Sequence, residues 1–251
     1  MSNIRTIAFF GASGGCGLAA LKHSLAAGYV CVALCRNPAK MTDALPEAQN
    51  PNLVVKQGNA HNVDDVAACL VNPTDPDRLV DAVCFSIGSP LNLCKMTVED
   101  PDVCKNGIAA VLGALERLRA KGVGVGVEGK PARVVAISTT GISENQRDVP
   151  VLQVPMYHVL LKAPHADKKV MEERLAGSGE EWTFVRPAFL SDGADPAKRV
   201  RVGVEDPGTG VVESKAVGYG ISREDVGRWI FENLLRDGGR QYVRKAVSIT
   251  W

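Results

Sequence analysis

The chain has 251 residues, 45% of them hydrophobic and 23% charged, and its 29 Lys and Arg against 28 Asp and Glu leave a formal net charge of +1. This length and balance allow one domain, residues 1–251, with a full core. They exclude nucleic acid and an anionic membrane surface as leading partners, because no basic run of five or more occurs and aromatic residues, at 5%, offer no stacking platform.

A small-molecule substrate is therefore the expected partner, with a monomer or homodimer as the assembly. No apolar stretch approaches the roughly 18 residues that span a bilayer. The first strand opens within a few residues of the N-terminus and leaves no room for a signal peptide, so a soluble, cytoplasmic protein is expected. Seven cysteines (16, 31, 35, 69, 84, 94, 104) form no C-x-x-C pair. They fit reduced thiols better than a disulfide framework, and no metal site is expected.

In chain order, Ile7 to Phe10 reads as a strand, Gly11-Ala12-Ser13-Gly14-Gly15-Cys16-Gly17 as a glycine turn, Leu18 to Ala27 as a helix, and Tyr29 to Leu34 as a second strand. The spacing is G-x-x-G-x-x-G. Gly11 allows the tight turn, Gly14 lets backbone approach a pyrophosphate, and Gly17 lets the helix pack closely on the sheet. Backbone N–H groups at the helix N-terminus would hold the phosphates. Cys16 stands where a helix N-terminus can lower a thiol pKa.

Arg36 follows the second strand, where an NAD-specific site would present a carboxylate to the ribose 2′-hydroxyl. A guanidinium suits a 2′-phosphate, so NADP(H) is expected over NAD(H), and Lys40 offers a second positive charge.

Leu53 to Gln57 is the third strand, and the turn after it, with Asn59 and Ala60, is expected to face the adenine. A helix runs from Val63 to Leu70. Pro73, Asp75, Pro76 and Asp77 mark a loop before a fourth strand, Leu79 to Phe85, which ends in Ser86-Ile87-Gly88-Ser89-Pro90, small residues that let backbone approach the middle of the cofactor. Residues 91–102 read as irregular, Val103 to Ala120 as an amphipathic helix, and Lys121 to Lys130 as a flexible glycine-rich surface turn without function. Arg133 to Ser138 is the fifth strand. It delivers Ser138, Thr139 and Thr140 to the sheet edge that also holds Gly11 and Ser86.

Residues 141–157 are long enough for a loop that shapes a pocket. A helix follows, broken at Pro164, with Lys168, Lys169, Glu172 and Glu173 on its polar side, then a sixth strand at Trp182 to Pro187. Residues 188–220, with strand-like runs at Arg199 to Val204 and Gly210 to Glu213, are expected to cover the substrate. Ser222 to Asp225 forms a capping box that opens a helix from Val226 to Leu235, and Gln241 to Ile249 is the last strand. Strands alternating with helices predict an α/β, Rossmann-type, doubly wound parallel sheet with helices on both faces and its ligand at the strands' carboxyl ends.

The glycine turn, Arg36, Asp167-Lys168-Lys169-Val170-Met171-Glu172, Trp182-Thr183-Phe184-Val185-Arg186-Pro187 and Ile221-Ser222-Arg223-Glu224-Asp225-Val226-Gly227 together resemble the atypical short-chain dehydrogenase/reductases, with the closest look to NmrA-like and biliverdin-reductase-B-like proteins. The resemblance implies NADPH bound along Gly11, Ser13, Gly14, Gly15, Cys16, Gly17 and Arg36, the turns at Asn59-Ala60 and Ser86-Ile87-Gly88, and Ser138-Thr139, with Pro187, Ala188 and Phe189 near the nicotinamide. Asn59-Ala60 departs from the acidic residue usual there, though asparagine can still accept a hydrogen bond from an adenine amino group.

Standard members of this family use a Tyr-x-x-x-Lys pair for proton transfer. Aligning Lys168 puts Pro164 at the tyrosine position; shifting by one pairs His165 with Lys169. Lys168 is expected to keep the cofactor-orienting half of the job. Tyr157, His158 and His165 are candidate proton donors, while Thr139 and Ser138 could polarise a substrate oxygen.

The first reading is an NADPH-dependent oxidoreductase acting on a small planar acceptor such as a quinone, a flavin-like or tetrapyrrole ring, or a conjugated carbonyl. One alternative is an NADP(H) sensor acting through a protein partner, recognised by cofactor binding without turnover. Another is a non-redox isomerase or cyclase of secondary metabolism, recognised by substrate conversion without cofactor oxidation.

Overall fold

A computed structural model describes residues 6–45, 50–89, 91–92, 97–124, 133–155, 161–195, 197–236 and 238–251. Its centre is a nine-stranded sheet. The strands are β1 (Thr6–Phe10), β2 (Val30–Cys35), β3 (Leu53–Gln57), β4 (Ala82–Phe85), β5 (Arg133–Ile137), β6 (Glu181–Pro187), β7 (Arg201–Asp206), β8 (Val211–Ser214) and β9 (Lys245–Thr250). Their spatial order is β8-β7-β9-β6-β5-β4-β1-β2-β3. From β3 across to β9 every pairing is parallel, whereas β7 and β8 are antiparallel to their neighbours.

The continuous apolar runs of β1 and β5 follow from helices covering both faces. In β1, Ile7 and Phe9 enter one core and Ala8 and Phe10 the other. The first core also takes Ala20 and Leu21 of α1 (Gly15–Ala26), Met41 of α2 (Pro38–Ala44) and Val226 and Ile230 of α6 (Arg223–Ile230). The second takes Val66 of α3 (Val63–Leu70), Ile108 and Leu115 of α4 (Val103–Ala120) and Met171 of α5 (Lys162–Ala176). Alternate side chains of each strand therefore serve opposite layers.

Chain order reverses at β1, which lies between β2 and β4, so the crevice beyond its carboxyl end is the switch point at which ligands bind. The register pairs Phe10 with Phe85, Phe85 with Ala136 and Ile137 with Val185. Gly11, Ser86, Ser138 and Ala188 consequently leave the sheet along one edge.

Several elements differ from the sequence reading. The loop expected at Pro73, Asp75, Pro76 and Asp77 runs into an extended segment, Asp75–Leu79, paired antiparallel with Val71–Asn72, so that Leu79 belongs to this hairpin and the sheet strand starts at Ala82 rather than Leu79. Leu91–Asn92 and Thr97–Val98 also pair, within a stretch read as irregular. Pro164 does not break α5, because it lies in the first turn, where its missing N–H costs no intrahelical bond. The strand-like runs within 188–220 join the central sheet, β7 beside β9 and β8 beside β7, and widen it. Ser222 caps the helix, its Oγ accepting from Asp225 N at 2.9 Å and donating to Asp225 Oδ2 at 2.7 Å, and the last turns at Phe231–Leu235 relax to a π-helix. Of the glycine-rich turn, residues 125–130 lie outside the described residues.

Candidate cofactor and active site

The glycine turn is shaped by contacts with the end of β4. Gly11 has φ +88°, and a Cβ there would stand 2.7 Å from the Ser86 carbonyl carbon. At Gly17 a Cβ would stand 2.0 Å from Ser86 Oγ and 2.8 Å from the Gly11 carbonyl oxygen, so the third glycine lets α1 reach the sheet. Ser86 Oγ lies 3.0 Å from that same carbonyl oxygen and locks the turn to β4. Gly14 differs: a Cβ there would meet nothing within 4 Å. Ser13, Gly14 and Gly15 are exposed, and Gly14, as N-cap of α1, brings no side-chain cap. Open space thus faces N–H groups that lack intrahelical partners, an arrangement fit for a pyrophosphate.

Cys16 stands where a helix end can lower a thiol pKa, but burial dominates. Burial pushes its thiol up to about 12, against smaller opposing pulls from Arg223 and Lys168. A neutral, buried thiol is a packing residue here.

Arg36 and Lys40 are exposed beyond the end of β2, and Arg36 has no carboxylate partner among the described residues. Its guanidinium fork is available to a 2′-phosphate. In the following turn Asn59 Oδ1 accepts from His61 N at 3.1 Å, so the oxygen expected to meet the adenine also closes its own Asx-turn. Asp65 Oδ2 accepts from Asn59 N at 2.7 Å, placing a carboxylate at this turn from α3 rather than from the turn itself. Ile87 is half-buried and Gly88 exposed, and the Ile87 carbonyl oxygen accepts from Cys104 Sγ at 3.3 Å.

At the nicotinamide end, Lys168 Nζ donates to the Ile137 carbonyl oxygen at 2.7 Å, beside Ser138. Asp167 explains why α5 sits there: its carboxylate accepts from Cys104 N and Lys105 N, both at 2.8 Å, capping the first turn of α4 from another helix. Lys169 points away and pairs with exposed Glu144, so the alignment through Lys168 and Pro164 is the one that faces the sheet edge. Ser138 is buried, and its Oγ has no hydrogen-bond partner among the described residues. Thr139 Oγ1 donates to the Thr140 carbonyl oxygen at 3.1 Å, and Thr140 N and Oγ1 both bond the Pro187 carbonyl oxygen. Ala188 N donates to Ile249 O, and Phe189 turns outward. His165 lies in the first turn of α5, whereas Tyr157 and His158 lie outside the described residues.

Sequence reasoning assigned no role to a buried charge network under this edge. Arg186 on β6 bonds Glu172 bidentately, at 3.0 and 2.6 Å, and also pairs with Glu205 on β7. Glu205 Oε2 in turn accepts from Ser143 Oγ at 2.7 Å and Gln146 Nε2 at 3.0 Å, while Asp148 Oδ1 accepts from Gly141 N at 2.8 Å. Burial alone would lower the Arg186 pKa, but the two carboxylates outweigh it and the net shift is upward. Burial raises the Asp148 pKa, more than the Gly141 N–H and Arg186 lower it. The network ties residues 141–148 to the strands beside the site. Arg186 and Asp167 both stand inside the stretches that carried the family resemblance, and that was the only signal available for either.

The NAD(P)H-binding family matches residues 11–237, nearly all of the site just described. The chain belongs to that family. It is 38% identical to "Reductase pytE" of Aspergillus terreus and 35% identical to "Oxidase pynE" of Aspergillus niger, with 98% of each chain covered in both cases. Its fold is similar to that of a wide-type short-chain dehydrogenase/reductase from Veillonella parvula in complex with NADP, at a TM-score of 0.70 and 16% identity over 98% of this chain and 94% of that one. The protein is an NAD(P)H-binding oxidoreductase with a small-molecule substrate. No helix among the described residues is long and apolar enough to cross a membrane.

Proposed function

We propose that the protein is an NADPH-dependent reductase of a small planar or conjugated acceptor such as a quinone. The observation that carries this reading is the meeting, on one sheet edge, of the open glycine turn, Lys168 held at the Ile137 carbonyl, and the unsatisfied hydroxyl of buried Ser138. Arg36, exposed and without a carboxylate partner among the described residues, supports NADPH over NADH. When bound, the reduced nicotinamide supplies the hydride.

The protein's residues position and desolvate. Lys168 would hold the nicotinamide ribose, Ser138 Oγ would donate to the acceptor oxygen, Thr139 Oγ1 could do so on leaving the Thr140 carbonyl, and Pro187 to Phe189 would lie near the nicotinamide. Pro164, one turn before Lys168, cannot donate a proton, so the reaction suits acceptors whose reduced form takes its proton from water. Among the described residues, five of the six exposed large hydrophobics lie in the segments 141–157 and 188–220: Val151 at 60%, Leu152 at 82%, Phe189 at 50%, Val211 at 54% and Tyr219 at 60%. Gln153 Nε2 donates to the Tyr219 carbonyl oxygen at 3.2 Å and joins the two segments. Such a rim favours a flat apolar acceptor over a charged one.

The test follows loss of reduced-nicotinamide absorbance against a panel of quinones, flavins and conjugated ketones, with Arg36→Ala and Ser138→Ala beside the parent protein. Oxidation of NADPH that falls in Arg36→Ala and is recovered with NADH supports the reading. Binding of NADPH without turnover of any acceptor overturns it.

A further inference from the structure

Arg223 opens α6 within the Ile221–Gly227 stretch, which no role above has used. Its Cδ lies 3.7 Å from where a Cβ on Gly15 would stand, so its aliphatic stem packs beside the glycine turn. The helix is held against α1 by the adjacent residue, Glu224, whose carboxylate lies 3.1 Å from His23 Nε2. Arg223 is also one of the two cations felt at Cys16 in the first turn of α1, the other being Lys168. The Arg223 side chain thus lies against Gly15, the residue that follows the open position at Gly14.

Its present partner is Asp192, at 2.7 Å, whose carboxylate is 90% exposed. Asp192 follows Leu190–Ser191, which pairs in parallel with Ile221–Ser222, so the ion pair bridges the segment after β6 and the start of α6. An exposed pair of this kind is weak, and a dinucleotide pyrophosphate at the α1 N-terminus would offer the guanidinium a stronger, bidentate anion.

We propose that Arg223 is a pyrophosphate-binding residue of the cofactor site, and that it exchanges Asp192 for the dinucleotide when the cofactor binds. This rests on the dinucleotide site and not on the identity of the acceptor. Arg36 and Arg223 then divide the anion recognition: Arg36 reads the 2′-phosphate that distinguishes NADPH, and Arg223 reads the pyrophosphate that NADPH and NADH share.

Titration calorimetry of NADPH and NADH with the full chain tests the division, with the unliganded melting temperature of each variant as a check on folding. Arg223→Ala is expected to weaken both dinucleotides by a similar factor, about tenfold to a hundredfold, as for loss of a charge-assisted hydrogen bond. Arg223→Lys, which keeps the charge and loses the fork, should fall between. Asp192→Asn should tighten both about twofold to fivefold, because the competing anion is removed. Unchanged affinities in a folded Arg223→Ala variant, or a loss confined to NADPH, overturns the pyrophosphate assignment. Weakening by Asp192→Asn overturns the exchange. A parent protein that binds neither dinucleotide would instead refute the cofactor site itself.

Discussion

Arg186→Met removes the cation from the buried network and leaves Glu172 and Glu205, whose side chains are 9% and 1% exposed, without their common partner. Stranding a buried charge in this way costs about 3–5 kcal/mol, and here two carboxylates are stranded together. In a domain of this length each kcal/mol lowers the melting temperature by about 2–4 °C, so a fall of about 6–20 °C is expected. Calorimetry measures it directly, and urea unfolding followed by the fluorescence of Trp182, stacked on Phe184 in the same strand, gives a second reading. Glu205→Gln separates stability from positioning, since it keeps an acceptor for Arg186 but weakens the charge-assisted bonds from Ser143 and Gln146. It should melt closer to the parent while making residues 141–148 more open to proteolysis. A drop of less than about 1 kcal/mol in Arg186→Met, the range of an exposed pair, would refute the reasoning that this network is a buried clasp.

The two ends of the glycine turn should respond oppositely to alanine. Gly14→Ala meets no atom within 4 Å and should melt like the parent while losing dinucleotide affinity, whereas Gly17→Ala forces α1 from the Gly11 carbonyl and should cost about 1–3 kcal/mol in denaturant unfolding. Asp148→Asn keeps the acceptor for Gly141 N. Because burial raises the folded pKa of Asp148, its contribution is favourable below the ordinary carboxylate range and is lost as pH rises through the raised value. The variant should therefore be more stable than the parent at neutral pH, with the difference vanishing in melts at acid pH. Lys168→Met should weaken NADPH binding about tenfold or more in calorimetric titration, by loss of a charged donor. Lys169→Ala, which breaks only an exposed pair with Glu144, should leave it unchanged.

Much of the frame is legible in the linear sequence because its signals are local. The helix over Val103–Ala120 and the capping box at Ser222 follow from periodicity and side-chain chemistry within a few residues. The strands β7 and β8 were visible as strand-like runs, yet their place beside β9 depends on a pairing that no local pattern encodes. Asp167 was equally opaque, because the N–H groups it caps belong to a helix about sixty residues earlier.

The candidate site divides along the same line. The glycine turn, the cation after β2 and the lack of a tyrosine four residues before Lys168 are legible in the sequence because each is a residue type at a fixed spacing on one element, and the family shows through the glycine turn, Arg36 and the stretches at 167–172, 182–187 and 221–227. That Lys168 rather than Lys169 reaches the sheet edge, that Cys16 is buried, that Arg186 binds two carboxylates at once and that Arg223 packs beside Gly15 depends on the folded arrangement. Burial, close approach and charge pairing are sums over neighbours distant in sequence, and those sums exist only once the sheet has brought the strand ends together.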